Sequence, residues 1–283
     1  MPVSKQTVAT FQRAKAEGRK LAMLTAYDYS TAKLQDEAGV DGILIGDSLG
    51  NVILGYENTL SVTMEDMIHH SRAVARGASH ALIVCDMPFL SYEQDVATAV
   101  SNAGRLMKEG RCQAVKLEGG IEVCPQVKAM VEAGIPVVGH IGLTPQSVNA
   151  FGGFKVQGKS AKAAKKLVAD ALALEQAGAF AIVLECVPAN LGAYITEQLT
   201  SAFTIGIGAG AGTDGQVLVV QDMLAMTAGG FKPKMVRQFA QVGEAIKQAY
   251  HDYDAAVQDG SFPAAAESYK DIDPELMEEV KRA

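Results

Sequence analysis

The chain has 283 residues, of which 48% are hydrophobic and 20% charged, and its 25 Lys and Arg residues against 32 Asp and Glu residues give a formal net charge of −7. This composition excludes collagen-like and disordered acidic chains and provides for a substantial core. The acidic balance argues against a nucleic-acid partner, because nucleic acids are bound by clustered Lys and Arg side chains. We therefore expect small-molecule substrates.

The amino-terminal segment 1–20 has basic residues but no apolar stretch of signal-peptide length, and no run of about 18 apolar residues occurs in the chain. We expect a cytoplasmic protein with no membrane partner. The cysteines Cys85, Cys112, Cys124 and Cys186 form no CxxC pair, so reduced, buried thiols are expected rather than a zinc or redox motif.

Segment 4–17 precedes the first apolar run and is predicted to be a helix that closes the bottom of a barrel. Beyond it, short continuous apolar runs alternate with longer segments of helical spacing, which is typical of parallel strands buried on both faces and joined by crossover helices. Eight strands are predicted, over 21–28, 42–48, 81–88, 114–119, 136–141, 179–187, 202–208 and 216–222.

Helical spacing is found between the strands, for example over 64–76, 94–109 and 161–177, and after the last strand over 234–258. Several of the predicted helices stop at a glycine, for which a left-handed conformation is expected: Gly39, Gly77, Gly110, Gly134 and Gly178. The charged tail beyond Gly260 is expected to be a solvated helix or a frayed end.

Eight βα units in about 250 residues match the size and count of a (β/α)8 TIM barrel. We therefore predict an α/β fold in which residues 1–283 form a single (β/α)8 barrel domain with an additional N-terminal helix. A doubly wound sheet is the alternative.

Ionisable side chains fall at the carboxyl ends of the predicted strands, which form the catalytic face of such a barrel. They are Asp28, Asp47, Asp86, Glu118, His140 and Glu185. Because neighbouring strands lie about 4.8 Å apart, Asp47, Asp86 and Glu118 should converge. Three carboxylates repel one another unless a cation lies among them. Mg²⁺ suits such a site, since it takes one or two carboxylates together with water and substrate oxygens.

Lys116 stands two residues before Glu118 and so faces the same side of its strand. A lysine inside a barrel requires an anion, such as a substrate carboxylate or an enolate oxygen. Glu185 lies two strands further on and is better placed as a general base than as a metal ligand. The roles of two residues are undecided. His140 either belongs to the site or hydrogen-bonds a loop backbone, and Asp28 either belongs to the site or caps a helix.

Two glycine motifs match nucleotide-binding patterns, but the residues around them do not fit such sites. Residues 153–160 match GxxxxGK[ST], but ten residues separate them from the preceding strand, so a nucleoside-triphosphatase is a minor alternative. Residues 210–215 match GxGxxG without an acidic residue about 20 positions later, so they indicate a dinucleotide site only weakly. Either a close approach to an anionic or planar ligand or tight turn packing explains these glycines.

Seven segments together carry a resemblance to a known family. They are LTAYDYSTAKL (24–34), GDSLGNVILGYENTL (46–60), DMPF (86–89), KLEGG (116–120), GHIGLTPQSVNAFGGFKVQG (139–158), LECVP (184–188) and IGIGAG with TDGQVLV (205–219). From about residue 6 to 260, the chain resembles the ketopantoate hydroxymethyltransferases. The resemblance also accounts for the match at 153–160, because FGGFKVQG is the family's own loop.

The resemblance implies an enzyme of pantothenate biosynthesis that uses Mg²⁺. It would transfer a hydroxymethyl unit from 5,10-methylenetetrahydrofolate to 3-methyl-2-oxobutanoate and give 2-dehydropantoate. Matched motif by motif, Asp47 and Asp86 resemble metal and substrate ligands, Glu118 a third metal carboxylate, Ser48 and Lys116 substrate contacts, and Glu185 the proton acceptor. A homodecamer of two pentameric rings is also implied. The region after Gly229 departs most from the family pattern.

The chemistry read from the residues agrees with this activity. A chelating Mg²⁺ lowers the pKa of the C3 proton of a 2-oxo acid, Glu185 removes that proton, and Lys116 with the metal stabilises the enolate. One alternative is a Mg²⁺-dependent lyase or mutase of the phosphoenolpyruvate type, which would need a basic phosphate-binding cluster. A Schiff-base aldolase using Lys116 and an inactive barrel are two further alternatives.

Overall fold

Eight parallel strands close into a barrel in chain order. The computed structural model describes residues 5–227 and 232–283. Within them the strands β1 to β8 are Leu21–Thr25, Gly42–Ile45, Leu82–Asp86, Ala114–Glu118, Val137–Gly142, Ala181–Glu185, Phe203–Ile207 and Gly215–Leu218. Each strand pairs in parallel with its neighbours in the chain, and β1 closes the barrel against β8. The predicted (β/α)8 barrel is confirmed, and the doubly wound alternative is wrong.

The strands are shorter than the apolar runs that predicted them. In the run 21–28, strand β1 ends at Thr25, because Asp28 caps the start of the next helix. In the run 42–48, strand β2 ends at Ile45, so that Asp47 stands in the loop just beyond the strand. The last strand covers Gly215–Leu218 rather than 216–222, since a short helix begins at Val220.

The described residues contain twelve α-helices, numbered α1 to α12. They are Val8–Ala16, Tyr29–Glu37, Leu49–Val52, Met64–Gly77, Val96–Arg105, Cys124–Glu132, Val148–Phe151, Ala161–Gln176, Ala189–Gln198, Val220–Met223, Val242–Asp259 and Pro274–Arg282. Capping side chains begin several of them: Thr63 accepts a hydrogen bond from the Asp66 N–H, and Ser160 accepts one from the Ala163 N–H. Helix α5 continues as a π-helical turn over Leu106–Gly110, which completes the predicted helix 94–109.

The start of the predicted helix 234–258 is wrong. Helix α11 begins at Val242, and the segment before it lies along α10 instead. There the Phe239 N–H donates to the Met223 carbonyl and the Val242 N–H donates to the Leu224 carbonyl, while Val236 is buried. These tertiary contacts replace the hydrogen bonds that a longer helix would make. Gly229 lies outside the described residues.

Helix α1 closes the bottom of the barrel, as its position before β1 predicts. Its buried Phe11 ring meets the rings of Phe180 and Phe203 edge-on, with centroids 6.2 and 5.4 Å away. The helix starts after Thr7, which makes reciprocal capping hydrogen bonds with Thr10. Ser4, the first residue of the predicted helix, lies outside the described residues.

Strand alternation divides the core into an inner and an outer layer. Leu44 and Val84 point into the barrel interior, whereas Ile43 and Cys85 pack beneath the helices. The inner layer fills the lower part of the barrel with apolar side chains. Consequently the polar residues on the inward face are confined to the carboxyl ends of the strands.

The helix-stop glycines behave in two ways. Three of the five predicted positions have the expected positive φ: Gly39, Gly134 and Gly178. The prediction is wrong for Gly77, which ends α4 and approaches the backbone of Tyr29 so closely that an added Cβ would lie 2.5 Å from its carbonyl oxygen. It is also wrong for Gly110, where the next residue, Arg111, takes the left-handed conformation instead.

The carboxyl-terminal part lies away from the barrel core. In the described part of the chain, neither α11 nor α12 contains a buried side chain, which confirms the solvated tail.

All four cysteines are free; Cys85 and Cys112 are buried as expected, but Cys124 and Cys186 are only partly so. Over the described ranges, no helix combines the length and apolar character needed to cross a membrane.

Candidate active site

A cavity of about 1380 Å³ opens at the carboxyl end of the barrel and continues along the outer side of β8. Seven of the polar residues singled out from the sequence line it: Asp47, Ser48, Asp86, Lys116, Glu118, His140 and Glu185. Asp28 does not belong to this group. Its exposed carboxylate caps α2 by accepting hydrogen bonds from the Thr31 N–H and hydroxyl, at 2.8 and 2.7 Å.

Asp47 and Asp86 lie side by side at the ends of β2 and β3. The Asp47 N–H donates to Oδ2 of Asp86 over 3.1 Å, and both side chains are buried. Burial raises the pKa of Asp47 to about 8, and the nearby carboxylates of Asp86 and Glu118 add to that rise. Burial also raises the pKa of Asp86, although Lys116 opposes it. A cation beside the pair would therefore stabilise the ionised form of both carboxylates.

Lys116 supplies part of that positive charge. Its Nζ lies 3.0 Å from Oδ1 of Asp86, an ion pair without hydrogen-bond alignment, and 3.1 Å from Nδ1 of His140. Burial acts to lower the pKa of Lys116, but the surrounding carboxylates outweigh it and raise the pKa above its usual value. The lysine thus stays protonated, which argues against the Schiff-base alternative, because an imine forms from the neutral amine.

His140 connects two carboxylates on neighbouring strands. Its Nδ1 lies 3.4 Å from Oε1 of Glu118, and its Nε2 lies 3.2 Å from Oε2 of Glu185. Burial and the charge of Lys116 act to lower the pKa of His140, but the contacts with the two glutamates outweigh them and raise it to about 9. The sequence left this residue open between a site role and a loop-backbone bond, and the structure places it at the centre of the site.

The charge balance of the cluster suits a divalent cation. Four carboxyl groups, on Asp47, Asp86, Glu118 and Glu185, outnumber the two basic groups, Lys116 and His140. A bound cation would favour the ionised form of Asp47, whose pKa is raised to about 8 without it. Among the described residues, no three His, Cys, Asp or Glu side chains converge tightly enough to hold an ion alone. One or two carboxylates are enough for Mg²⁺, which completes its coordination with water or substrate oxygens.

Glu118 is held by its surroundings rather than turned towards the two aspartates. Besides the contact with His140, its Oε2 accepts a hydrogen bond of 3.0 Å from the N–H of Gln146. That some of the three predicted metal carboxylates act through water stays a prediction. Ser48 lies at the edge of the cavity, where its hydroxyl is 2.8 Å from the hydroxyl of buried Tyr27.

Sequence reasoning missed two buried residues behind the carboxylates, Gln146 and Tyr92. Nε2 of Gln146 donates to Oδ2 of Asp47 over 2.8 Å, and the Tyr92 hydroxyl donates to Oε1 of Gln146 over 2.7 Å. Gln146 falls within the quoted motif GHIGLTPQ, but a loop amide gives no signal of its own, since it is ordinarily solvated. Only the fold shows that it points inward.

Neither glycine motif has the surroundings of a nucleotide-binding site. Residues 153–158 form a loop, ten residues beyond the end of β5, and not the tight strand-to-helix turn of a phosphate-binding loop. In the 210–215 motif, Cβ atoms added to Gly210 and Gly212 would lie 2.5 Å from the Cβ atoms of Ala189 and Ala193 on α9. Tight packing against this helix therefore explains the glycines, and the dinucleotide interpretation loses its support.

Fold and site together define a (β/α)8-barrel protein with an enzyme-like acidic pocket at the carboxyl ends of its strands. A sequence profile of the ketopantoate hydroxymethyltransferases matches residues 5–265. The chain belongs to the ketopantoate hydroxymethyltransferase family, and the resemblance of its motifs is confirmed.

Individual relatives agree with the profile. The chain is 61% identical to the 3-methyl-2-oxobutanoate hydroxymethyltransferase of Clostridium novyi, with 98% of this chain and 99% of that protein aligned. It is 59% identical to the enzyme of the same name from Enterococcus faecalis, over the same shares of the two chains. The relatives are therefore matched over nearly their full length and not over one segment.

Solved structures of low sequence identity share the fold. Phosphoenolpyruvate phosphomutase from Streptomyces platensis superposes with a TM-score of 0.61 at 14% identity, covering 98% of both chains. Phosphonopyruvate hydrolase in complex with oxalate and Mg²⁺ superposes with a TM-score of 0.59 at 14% identity, covering 98% of this chain and 97% of that one. At this level of identity the likeness concerns the barrel alone.

Proposed function

We propose that the protein transfers a hydroxymethyl unit from 5,10-methylenetetrahydrofolate to 3-methyl-2-oxobutanoate, giving 2-dehydropantoate for pantothenate biosynthesis. Membership of the family supports this activity. The structural observation that carries it is the buried cluster at the strand ends, in which Glu185 is the most accessible carboxylate. Its side chain is 14% exposed, against 4% for those of Asp86 and Glu118. A biosynthetic role of this kind also supports a cytoplasmic location.

A divalent cation, Mg²⁺ in our proposal, would be held by Asp47 and Asp86, with Glu118 acting through water. The donor set fits, because these are hard oxygen ligands and the carboxyl groups of the cluster outnumber its basic groups. When bound, the ion supplies Lewis acidity, which makes the C3 proton of a chelating 2-oxo acid more acidic.

The protein's own groups then act around the substrate. Glu185 accepts the C3 proton, because it is the carboxylate most open to the cavity and is oriented by Nε2 of His140. Protonated Lys116 stabilises the negative charge of the resulting enolate, and the Ser48 hydroxyl is placed to bind the substrate carboxylate. The enolate carbon forms a bond to the methylene carbon of the folate, both carbon–nitrogen bonds of that methylene break, and one water molecule supplies the hydroxyl group of the product. The proton taken from C3 and the remaining proton of the water pass to the two folate nitrogens, so that tetrahydrofolate leaves.

The upper wall of the cavity suits the folate co-substrate. Phe154 and Val156 line the cavity from the loop after β5, although their side chains are 65% and 43% exposed. Exposed apolar side chains at the rim of a polar pocket mark a surface for an apolar or planar ligand. The pterin ring system has that character.

The phosphoenolpyruvate-type alternative is less well supported. A phosphoryl group requires several basic or N–H donors around it. Among the described residues that line the cavity, the lysines are Lys20, Lys116 and Lys234. Lys116 is already paired with Asp86, and Lys20 donates to the Thr213 carbonyl near the start of β8. They form no cluster beside the carboxylates.

The homodecamer that the family resemblance implies is also part of this proposal. Two surfaces in the described chain support self-association. The outward-facing residues Ala22 and Gln216 of β1 and β8 are exposed. Helix α11 presents Tyr250, Tyr253 and Val257, spaced along one face, with 46–70% of each side chain exposed. A second copy of the chain would cover both surfaces.

Product formation tests the activity directly. Purified protein is incubated with 3-methyl-2-oxobutanoate, 5,10-methylenetetrahydrofolate and Mg²⁺, and 2-dehydropantoate is measured by mass spectrometry. We expect the product only when all three are present. Turnover of phosphoenolpyruvate or phosphonopyruvate in parallel reactions, without formation of 2-dehydropantoate, would favour the alternative function.

A further inference from the structure

Gln146 makes an unusually complete set of contacts behind the acidic cluster. It lies in a 3₁₀ turn over Pro145–Ser147, directly after β5, and is only 6% exposed. Its Nε2 donates to Oδ2 of Asp47 over 2.8 Å and to the Met87 carbonyl over 3.0 Å, and its backbone N–H donates to Oε2 of Glu118 over 3.0 Å. One residue thus binds two of the acidic side chains at once.

Tyr92 fixes the orientation of that amide. Its hydroxyl donates to Oε1 of Gln146 over 2.7 Å and accepts a hydrogen bond of 3.2 Å from the Glu118 N–H. Tyr92 is itself fully buried, and its carbonyl accepts a hydrogen bond from Nε2 of Gln126. Since Oε1 is occupied by a donor, Nε2 must face Asp47, and the amide cannot turn over without losing three hydrogen bonds.

Neither residue is placed to touch a substrate. Within the described residues, the cavity wall is formed by Asp47 and Glu118, while Gln146 and Tyr92 lie behind it. Each carboxylate uses one oxygen towards Gln146 and keeps the other: Oδ1 of Asp47 accepts no hydrogen bond within the described chain, and Oε1 of Glu118 faces His140. The side-chain amide of Gln146 therefore determines which oxygen of Asp47 is left for the cavity, and its backbone N–H does the same for Glu118.

We propose that Gln146, oriented by Tyr92, is a positioning residue that sets Asp47 and Glu118 in the geometry required for binding a divalent cation. This inference rests on the proposed function, which assigns the cation to these carboxylates. Groups that hold metal ligands from behind commonly affect metal affinity by about 10- to 100-fold.

Cation affinity without substrate tests the proposal independently of turnover. Free Mn²⁺ is counted by electron paramagnetic resonance in titrations of the wild type, Gln146→Met and Tyr92→Phe. Gln146→Met keeps the length of the side chain but removes its donors, and we expect its Kd for Mn²⁺ to rise about 10- to 100-fold. Tyr92→Phe removes only the hydroxyl and should fold as the wild type does. We expect its Kd to rise by up to about 10-fold.

Gln35→Met is the matched control. Gln35 is equally buried, but its Nε2 donates to the Thr25 carbonyl over 2.9 Å and does not contact the acidic cluster. We expect wild-type Mn²⁺ affinity for this variant. Unchanged affinity in folded Tyr92→Phe and Gln146→Met would overturn the proposal, as would equal weakening in Gln35→Met. A wild type that binds no Mn²⁺ would instead contradict the metal site on which the proposal rests.

Discussion

Nε2 of His140 lies 3.2 Å from Oε2 of Glu185, and the same imidazole reaches Glu118 through Nδ1. The histidine therefore connects the proposed base on β6 to Glu118 on β4. Because all three side chains are more than four-fifths buried, this contact fixes where the Glu185 carboxylate stands relative to a bound substrate.

Replacement of His140 by Phe tests this positioning role. The variant keeps a ring in the barrel interior but loses the polar contacts with Glu118, Glu185 and Lys116. We expect kcat to fall about 100-fold, as a misplaced reacting group can cause. KM for 3-methyl-2-oxobutanoate should change much less, because the proposed substrate contacts remain. Steady-state kinetics measure both, and a rise in KM with unchanged kcat would show that His140 serves binding instead.

Metal removal tests the cation site through stability as well as activity. Treatment with EDTA should abolish formation of 2-dehydropantoate, and added Mg²⁺ should restore it. Mg²⁺ at 100 times its Kd should stabilise the fold by about 2.7 kcal/mol. In Asp47→Asn, calorimetry should detect little of this stabilisation. Full activity in EDTA, or equal stabilisation of the variant, would contradict the assignment.

Asp36 provides a pH-dependent test of the fold, away from the site. Partial burial acts to raise the pKa of Asp36, but hydrogen bonds from the backbone N–H groups of Ser79, Ala81 and His80 outweigh it, so the pKa lies below the usual 3.8. A carboxyl group with a lowered pKa in the folded state stabilises it above the unfolded value, and this stabilisation is lost as the pH falls through the folded value.

We therefore expect Asp36→Ala to be less stable than the wild type by about 1–2 kcal/mol at neutral pH, because three N–H groups lose their acceptor. The difference should stay constant between pH 7 and 5 and narrow below pH 3.8. Urea unfolding at each pH measures it. A difference that widens on acidification would show that the carboxylate is not the stabilising form.

The exposed face of α11 allows a test of the proposed homodecamer. Light scattering after gel filtration should give about 298 kDa for ten chains of 29.8 kDa. Paired Tyr250→Glu and Tyr253→Glu substitutions place charges on this face, and we expect the mass to fall. Tyr269→Glu is the control, since Tyr269 is fully exposed outside the helix. A single-chain mass for the wild type would contradict the proposed assembly.

The positions of the acidic residues could be predicted because the barrel imposes them. Asp47, Asp86 and Glu118 each stand at the carboxyl end of a predicted strand, and parallel strands bring such ends together. Gln146 could not be predicted in the same way, since a single amide in a loop has no periodicity. Its role depends on a turn that returns the chain beneath Asp47, a tertiary contact between residues 99 positions apart.

The helix after the barrel shows a second limit of prediction from the sequence. Its apolar spacing predicted helix α11, but the start near residue 234 was wrong, because the segment before Val242 makes backbone hydrogen bonds to Met223 and Leu224 instead of helical ones. Nor does the spacing identify what covers Tyr250 and Tyr253. Amphipathic spacing predicts that one face of the helix is buried. It does not show whether that face packs against the rest of the same chain or against a second copy of the protein.

The role of Glu185 as the base can be measured at the single step it performs. Proton NMR of 3-methyl-2-oxobutanoate in D₂O follows exchange of the C3 proton with Mg²⁺ present and without the folate. The wild type should exchange this proton and Glu185→Gln should not, while the variant still binds Mn²⁺ with wild-type affinity. Exchange at an unaltered rate in Glu185→Gln would contradict the mechanism.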